Sequence, residues 1–114
     1  MWRDEAYLLD VLLAARKIQA FVAGVTRERF LADELLQNAI MHFIQIIGEA
    51  ARLVSDEFQE AHPEVPWRSI IAMRNRLVHE YFRVQPKRVW AAVQDDVPAL
   101  IPLLEPLVPP DEEA

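Results

Sequence analysis

Apolar residues recur every three or four positions along almost the whole chain, and no segment alternates with the two-residue period of a strand. That periodicity restricts the fold to packed helices. Leu8, Val11, Leu12, Ala15, Ile18 and Val22 define a first helix over Trp2 to Val22, which Gly24 stops. Thr26 can cap a second segment that carries the chain to about Ser55, with a break near Ala32. Leu35, Ala39, Phe43, Ile46, Ala50 and Leu53 make its stripe. Leu36, Ile40, Ile44, Ile47 and Val54 widen that stripe, so the helix is expected to be buried on more than one side. Gly48 weakens a helix by roughly 1 kcal/mol relative to alanine, and close approach of another backbone would explain it.

The remaining punctuation is proline. A short helical turn over Asp56 to Ala61 ends at "HPEVP". Pro66 suits the first turn of a helix running from Trp67 to Tyr81 or Phe82. Pro86 repeats the device for a last helix reaching about Leu107, which Pro98 and Pro102 should kink or split. The pattern predicts an all-α, antiparallel bundle of four to five helices with short connections. Residues 1–108 read as one domain and residues 109–114 as a solvated tail.

The chain of 114 residues has no cysteine, so neither disulfides nor thiolate metal sites are available. "MWRDEAY" puts acids where a secretory leader needs basic residues, and no apolar run approaches a membrane span. The expectation is a cytoplasmic protein with no membrane association. The net charge of −6 is unevenly spread. Between Trp67 and Arg88 lie six of the twelve basic residues and only one of the eighteen acids, Glu80. That segment is net +5 and the rest net −11.

The basic segment contains "RNRLVHEY", residues 74–81. Ile70, Ile71, Leu77, Val78, Tyr81 and Phe82 form an inward stripe that position 74 should complete, yet position 74 is arginine. A guanidinium there needs a paired charge or a wet cleft, and Glu49 is the candidate partner. At about 100° per residue, Tyr81 returns to within about 20° of Arg74 whereas His79 lies about 140° away. Asn75 and His79 are i,i+4 neighbours. Either the helix breaks near Met73 to Asn75, or a second copy of the chain completes the site. Arginine with histidine suits RNA cleavage without a metal: histidine moves protons near neutral pH, and arginine stabilises charge on a phosphorane-like transition state.

Elsewhere, His42 reads as a core or flank residue and His62 as a helix-end residue. The chain has no Glu-x-x-His pair, P-loop or nucleophile elbow, so no metal and no cofactor are expected.

"RNRLVHEY" resembles the Arg-x-x-x-x-His-x-Tyr signature of HepT-type toxins of the HEPN superfamily, with Arg74, His79 and Tyr81 on its fixed positions. "IIGEA" (46–50), "VPW" (65–67), "YF" after the histidine and "VW" (89–90) also resemble that family. "FVAGVTRERF" is similar to its Phe-Thr-x-Gly loop, with Val22 in place of threonine. The likeness spans about Tyr7 to Leu107. It implies a HEPN-type bundle over residues 1–108 that forms a homodimer with its motifs facing across a cleft. It also implies a type VII toxin–antitoxin role: metal-independent cleavage of RNA, with tRNA one possible substrate, silenced by a minimal nucleotidyltransferase antitoxin. Carried over, Arg74, His79 and Asn75 are catalytic, Tyr81 accepts AMP, and Arg76, Arg83 and Glu49 contact RNA or support the site. The competing expectation is a non-catalytic helical partner, or substrate-binding subunit, of a nucleotidyltransferase.

Overall fold

Helix α1 (Trp2–Val22) ends where Gly24 takes φ of +74°, a left-handed turn that glycine adopts without strain. The computed structural model describes residues 2–79 and 83–109, and all regular structure among them is helical. After the turn, the Thr26 hydroxyl accepts from the Arg29 amide at 3.1 Å and starts α2 (Arg27–Ala32). The expected break falls at Asp33, whose extended backbone ends α2 while its carboxylate caps α3 (Glu34–Leu53), accepting from the Leu36 amide at 3.0 Å. Ser55 caps α4 (Asp56–Ala61), so α3 stops two residues short of the expected end.

Pro66 sits one residue before α5 (Trp67–His79), not within its first turn; its carbonyl accepts the first helical bond, from the Ile70 amide at 3.1 Å. The adjoining Trp67 indole donates to the His62 carbonyl at 2.9 Å, fixing the entry to α5. The expected extension of α5 to Tyr81 or Phe82 falls outside the described residues. Pro86 opens α6 (Pro86–Ala91), which continues through a π-helical turn over residues 92–96 into α7 (Val97–Leu104) and a final 3₁₀ turn, Glu105–Leu107. The split expected at Pro98 takes the form of this π turn. Proline has no N–H to give the carbonyl four residues back, and the Val97 N–H reaches five back, to Ala92. Pro102 is carried inside α7.

Helix α3 is the centre of the fold, packed between α1 and α5, while α7 closes on α1 and α2 on α6. Its buried face includes Ile40, Ile44 and Ile47, expected only to widen the stripe, together with Ala50 of the expected stripe and Ala51. Leu35 and Leu53, expected on the main stripe, are 84% and 42% exposed. With twelve apolar positions on α3, the sequence left the centre of the inward face free to rotate by about one residue. The neighbours α1 and α5 settle it. On α1 the expectation holds: Leu8, Val11, Leu12, Ala15 and Ile18 are buried.

The antiparallel pairing of α1 and α3 is pinned at one end by Asp4, which is only 5% exposed. Its two carboxylate oxygens accept from the Ser55 amide at 2.8 Å and the Ser55 hydroxyl at 2.7 Å. At the other end Phe21 meets Phe43 edge-on. Burial pushes the Asp4 carboxyl up, but the two Ser55 hydrogen bonds outweigh it and hold the group below its ordinary 3.8. A folded-state value below the unfolded one means the contribution is whole above pH of about 4 and drains away as pH falls through the folded-state value. Asp4→Ala should therefore destabilise the protein by about 2 kcal/mol at neutral pH in urea unfolding. The gap from the unsubstituted chain should narrow below pH of about 4; a gap independent of pH would show that the charge is not what Ser55 binds.

Candidate functional site

The site begins with a missing side chain. A Cβ built on Gly48 would fall 2.0 Å from the Arg74 Cβ and 2.5 Å from its Cγ, so only glycine lets α3 and α5 approach this closely. The stem of Arg74 lies on the α3 backbone, and its head is directed to the polar residues alongside. Nη2 is 3.4 Å from Glu49 Oε2, and Nη1 donates to Asn75 Oδ1 at 3.1 Å. Nε is buried with no hydrogen-bond partner among the described residues. The Arg74 side chain is 25% exposed and Glu49 39%, so the pair is partly desolvated and still reachable.

Glu49 serves two cations. Arg52, three residues on, donates to it from Nη2 at 2.5 Å, and this bond, with the charges of Arg52 and Arg74, holds the Glu49 carboxyl below its ordinary value. The carboxylate stays ionised across neutral pH, and its share in two pairs leaves the Arg74 guanidinium positioned but incompletely neutralised. These groups border a shallow groove of about 350 Å³, walled by Tyr7 and Asp10 of α1, His42, Gln45 and Leu53 of α3, and Arg74 of α5. His42, expected in the core or on a flank, is exposed along this groove with its ring tilted against Phe43. His62 caps the end of α4, as expected of a helix-end residue.

The structure brings Arg74, Asn75 and Glu49 together. It puts Arg76 and Arg83 elsewhere, in a second cleft between α5 and the α6–α7 run. The backbone of His79 closes α5, and Tyr81 lies outside the described residues. Since α5 is unbroken from Trp67 to His79, the alternative of a helix break near Met73 to Asn75 is excluded. The groove-lining Tyr7 and Asp10 were not legible in advance, because only the α1–α3 pairing brings them to Arg74. Arg52 was missed as well, although its place one helical turn after Glu49 is a signal that could have found it.

A family model described as "Ribonuclease HepT-like" matches residues 11–107. The chain belongs to the HepT-like ribonuclease family. It is 38% identical over 94 residues to "Probable ribonuclease HepT" of Thermococcus cleftensis, covering 82% of this chain and 86% of that one. It is 36% identical over 94 residues to "Putative RNase TTE0752" of Caldanaerobacter subterraneus subsp. tengcongensis, covering 82% and 84%. To "Putative RNase MJ1380" of Methanocaldococcus jannaschii it is 32% identical over 96 residues, covering 84% and 88%. No solved structure matches. Within this HepT-like chain, the "IIGEA" segment is the surface on which the motif arginine rests.

Gly48→Ala tests that seat. The added methyl cannot be accommodated without parting α3 from α5, so a loss of about 3 kcal/mol in urea unfolding is expected despite alanine's better helix propensity. A variant as stable as the unsubstituted chain would show that the two helices separate freely.

Proposed function

We propose that this chain is a metal-independent endoribonuclease that acts as a homodimer of HEPN-type bundles through Arg74, Asn75 and His79. The observation that carries the dimer is the unbroken α5. On it, the His79 backbone stands about 140° around and about 7.5 Å along the axis from that of Arg74, so the two motif residues start from different faces of one helix. A two-fold pairing of motifs supplies an arginine from one chain and a histidine from the other, and two histidines in all. Leu53, apolar and exposed beside Arg74, offers contact area for such a partner. Relatives named as ribonucleases support the activity.

The chemistry follows from the groups. One histidine removes the proton of a ribose 2′-hydroxyl as its oxygen attacks the adjacent phosphorus. The 2′-O–P bond forms, the P–O5′ bond breaks, and a second histidine gives the leaving 5′-oxygen its proton. The products are a 2′,3′-cyclic phosphate and a 5′-hydroxyl. Arg74 faces the extra negative charge of the transition state. Asn75 holds Arg74 through its amide oxygen, since a guanidinium N–H needs an acceptor, and its NH₂ group is left to donate to a phosphate oxygen. Arg74→Ala and His79→Ala should each lower cleavage of cellular RNA by a hundredfold or more, on the order of other losses of transition-state charge stabilisation or proton transfer. EDTA should leave the rate unchanged. Full cleavage by folded His79→Ala protein would refute the assignment, and chelator sensitivity would refute metal independence.

The same reading makes the chain the toxin of a type VII toxin–antitoxin pair in the cytoplasm, with tRNA among the RNAs to test. A minimal nucleotidyltransferase would silence it by moving AMP from ATP to the Tyr81 hydroxyl, releasing pyrophosphate. The new phosphate would add negative charge and bulk to the motif and oppose the RNA backbone. Co-expressed with its antitoxin, Tyr81→Phe should stay toxic and gain no 329-dalton adduct (roughly the mass of an added AMP moiety, a charge-changing modification). Silencing equal to that of the unsubstituted toxin would refute modification as the switch.

A further inference from the structure

Glu49 stands between two guanidinium groups, Arg52 of its own helix and Arg74 of α5, and the two hold it unequally. Arg52 grips it with two donors: Nη2 donates to Oε1 at 2.5 Å and Nε to Oε2 at 3.4 Å. Arg74 approaches Oε2 alone, with Nη2 at 3.4 Å. A charge-assisted N–H···O bond closes to about 2.7–2.9 Å, so Arg74 lies beside the carboxylate without a full bond to it. The electrostatics agree. The Glu49 carboxyl is lowered most by its hydrogen bond to Arg52 and least by the charge of Arg74, and the same bond raises Arg52.

Placement separates the two cations further. Glu49 and Arg74 line the groove, whereas Arg52 stands outside its wall. An anion in the groove therefore lies on the Arg74 side of Glu49. What Arg74 can offer that anion depends on how many of its five N–H donors the protein has already spent. Among the described residues one goes to Asn75, and Nε is buried without a partner. A Glu49 carboxylate closed on Arg74 with both oxygens would take the donors and the charge that a phosphate needs. Arg52 occupies Oε1 and shares Oε2, which keeps the carboxylate from closing that way. Neighbours at i,i+3 meet on one helix surface, so this hold is complete within α3 before α5 is considered.

We propose that Arg52 is a positioning residue for Arg74: it holds the Glu49 carboxylate short of full pairing, so that Arg74 is aimed by Glu49 yet free to take an RNA phosphate. When the phosphate arrives, Glu49 keeps Arg52 as its counterion and needs no other. This role rests on the assignment of Arg74 proposed above, and separate readouts of binding and cleavage keep a failure of one distinct from a failure of the other.

Binding is read by fluorescence anisotropy with an RNA oligonucleotide methylated at every 2′-oxygen, which has no hydroxyl to attack the phosphorus. Cleavage is read on bulk tRNA, and circular dichroism checks the fold of each full-length variant. Arg52→Gln should weaken binding about tenfold and raise KM, with kcat nearly unchanged, because ground state and transition state lose Arg74 alike. Arg52→Lys keeps the charge and should bind within about threefold of the unsubstituted chain. Arg52→Gln combined with Glu49→Gln should also bind within about threefold, since no carboxylate remains to claim Arg74, while kcat falls because Arg74 has lost its brace. That rescue separates positioning from the alternatives. An exposed i,i+3 pair contributes little to stability, so a role in folding alone predicts no rescue. A direct phosphate contact by Arg52 predicts a double variant as weak as Arg52→Gln, which would overturn the proposal. Unchanged binding in Arg52→Gln, a loss confined to kcat, or binding indifferent to Arg74→Ala would overturn it as well. If the binding pattern holds while the unsubstituted chain leaves tRNA intact, the role of Arg52 stands and the ribonuclease reading fails.

Discussion

The approach of Arg74 to Gly48 is the contact on which the arrangement of this protein depends. Helix α3 has no Cβ at the point where α5 crosses it, so the arginine stem replaces the missing side chain and the two helices share one van der Waals surface. Closeness has two results. It buries the apolar stem and Nε of Arg74, which fixes where the side chain starts. It also leaves the guanidinium head only one direction, outward along α3 to Glu49 and sideways to Asn75. A long, flexible side chain with roughly 2 kcal/mol of rotamer entropy is thereby held in place before any ligand arrives. A charged head on an apolar stripe, odd as a packing choice, becomes intelligible as a head aimed by its own stem.

Much of this was legible in the sequence. Gly48 inside a strongly apolar helix announces a close crossing, and an arginine completing an apolar stripe on another helix demands a partner. The cap at Thr26, the break near Ala32 and the prolines at 66 and 86 divide the chain where the structure does, because those residues act through their own backbone and immediate neighbours. What was not legible depended on distant segments. The inward face of α3 was misplaced by about one residue, since a helix flanked on two sides carries more apolar positions than one stripe can order. The tie of Asp4 to Ser55 joins residues far apart in the chain. The π turn was readable only as a disturbance near Pro98; its form depends on where Val97 finds a carbonyl. Within the site, Glu49 followed from charge complementarity, whereas Tyr7 and Asp10 needed the pairing of α1 with α3.

The separation of charge along the chain takes on a spatial meaning in the fold. The segment from Trp67 to Arg88 is net +5 in a chain that is net −6, and α5 with its following connection gathers most of that excess at one region. Acidic residues elsewhere offset it overall but do not neutralise it locally: Glu49 is the one carboxylate paired with an arginine of this segment among the described residues. At physiological salt, dissolved ions largely screen the interaction between exposed charges more than about 8 Å apart. The distant acids therefore lower the net charge without erasing the local field, so an anion is drawn to this region of an otherwise acidic protein.

Helix α5 presents that field on two faces, and the two differ in how their arginines are treated. Arg74 is partly buried, paired with Glu49 and braced by Asn75; Arg76, Arg83 and Arg88 have no protein partner among the described residues and line an aliphatic cleft. Electrostatic stabilisation of a transition state requires a cation whose position does not relax as charge develops, which is what bracing provides. It also requires that the cation not be neutralised already, and Glu49, shared with Arg52, leaves Arg74 charge to give. Ile70 and Leu77 anchor the helix against the rest of the fold, while positions 74 and 76 diverge by about 200°. The physical distinction between the two clefts is thus already present in which arginines the protein itself has partnered.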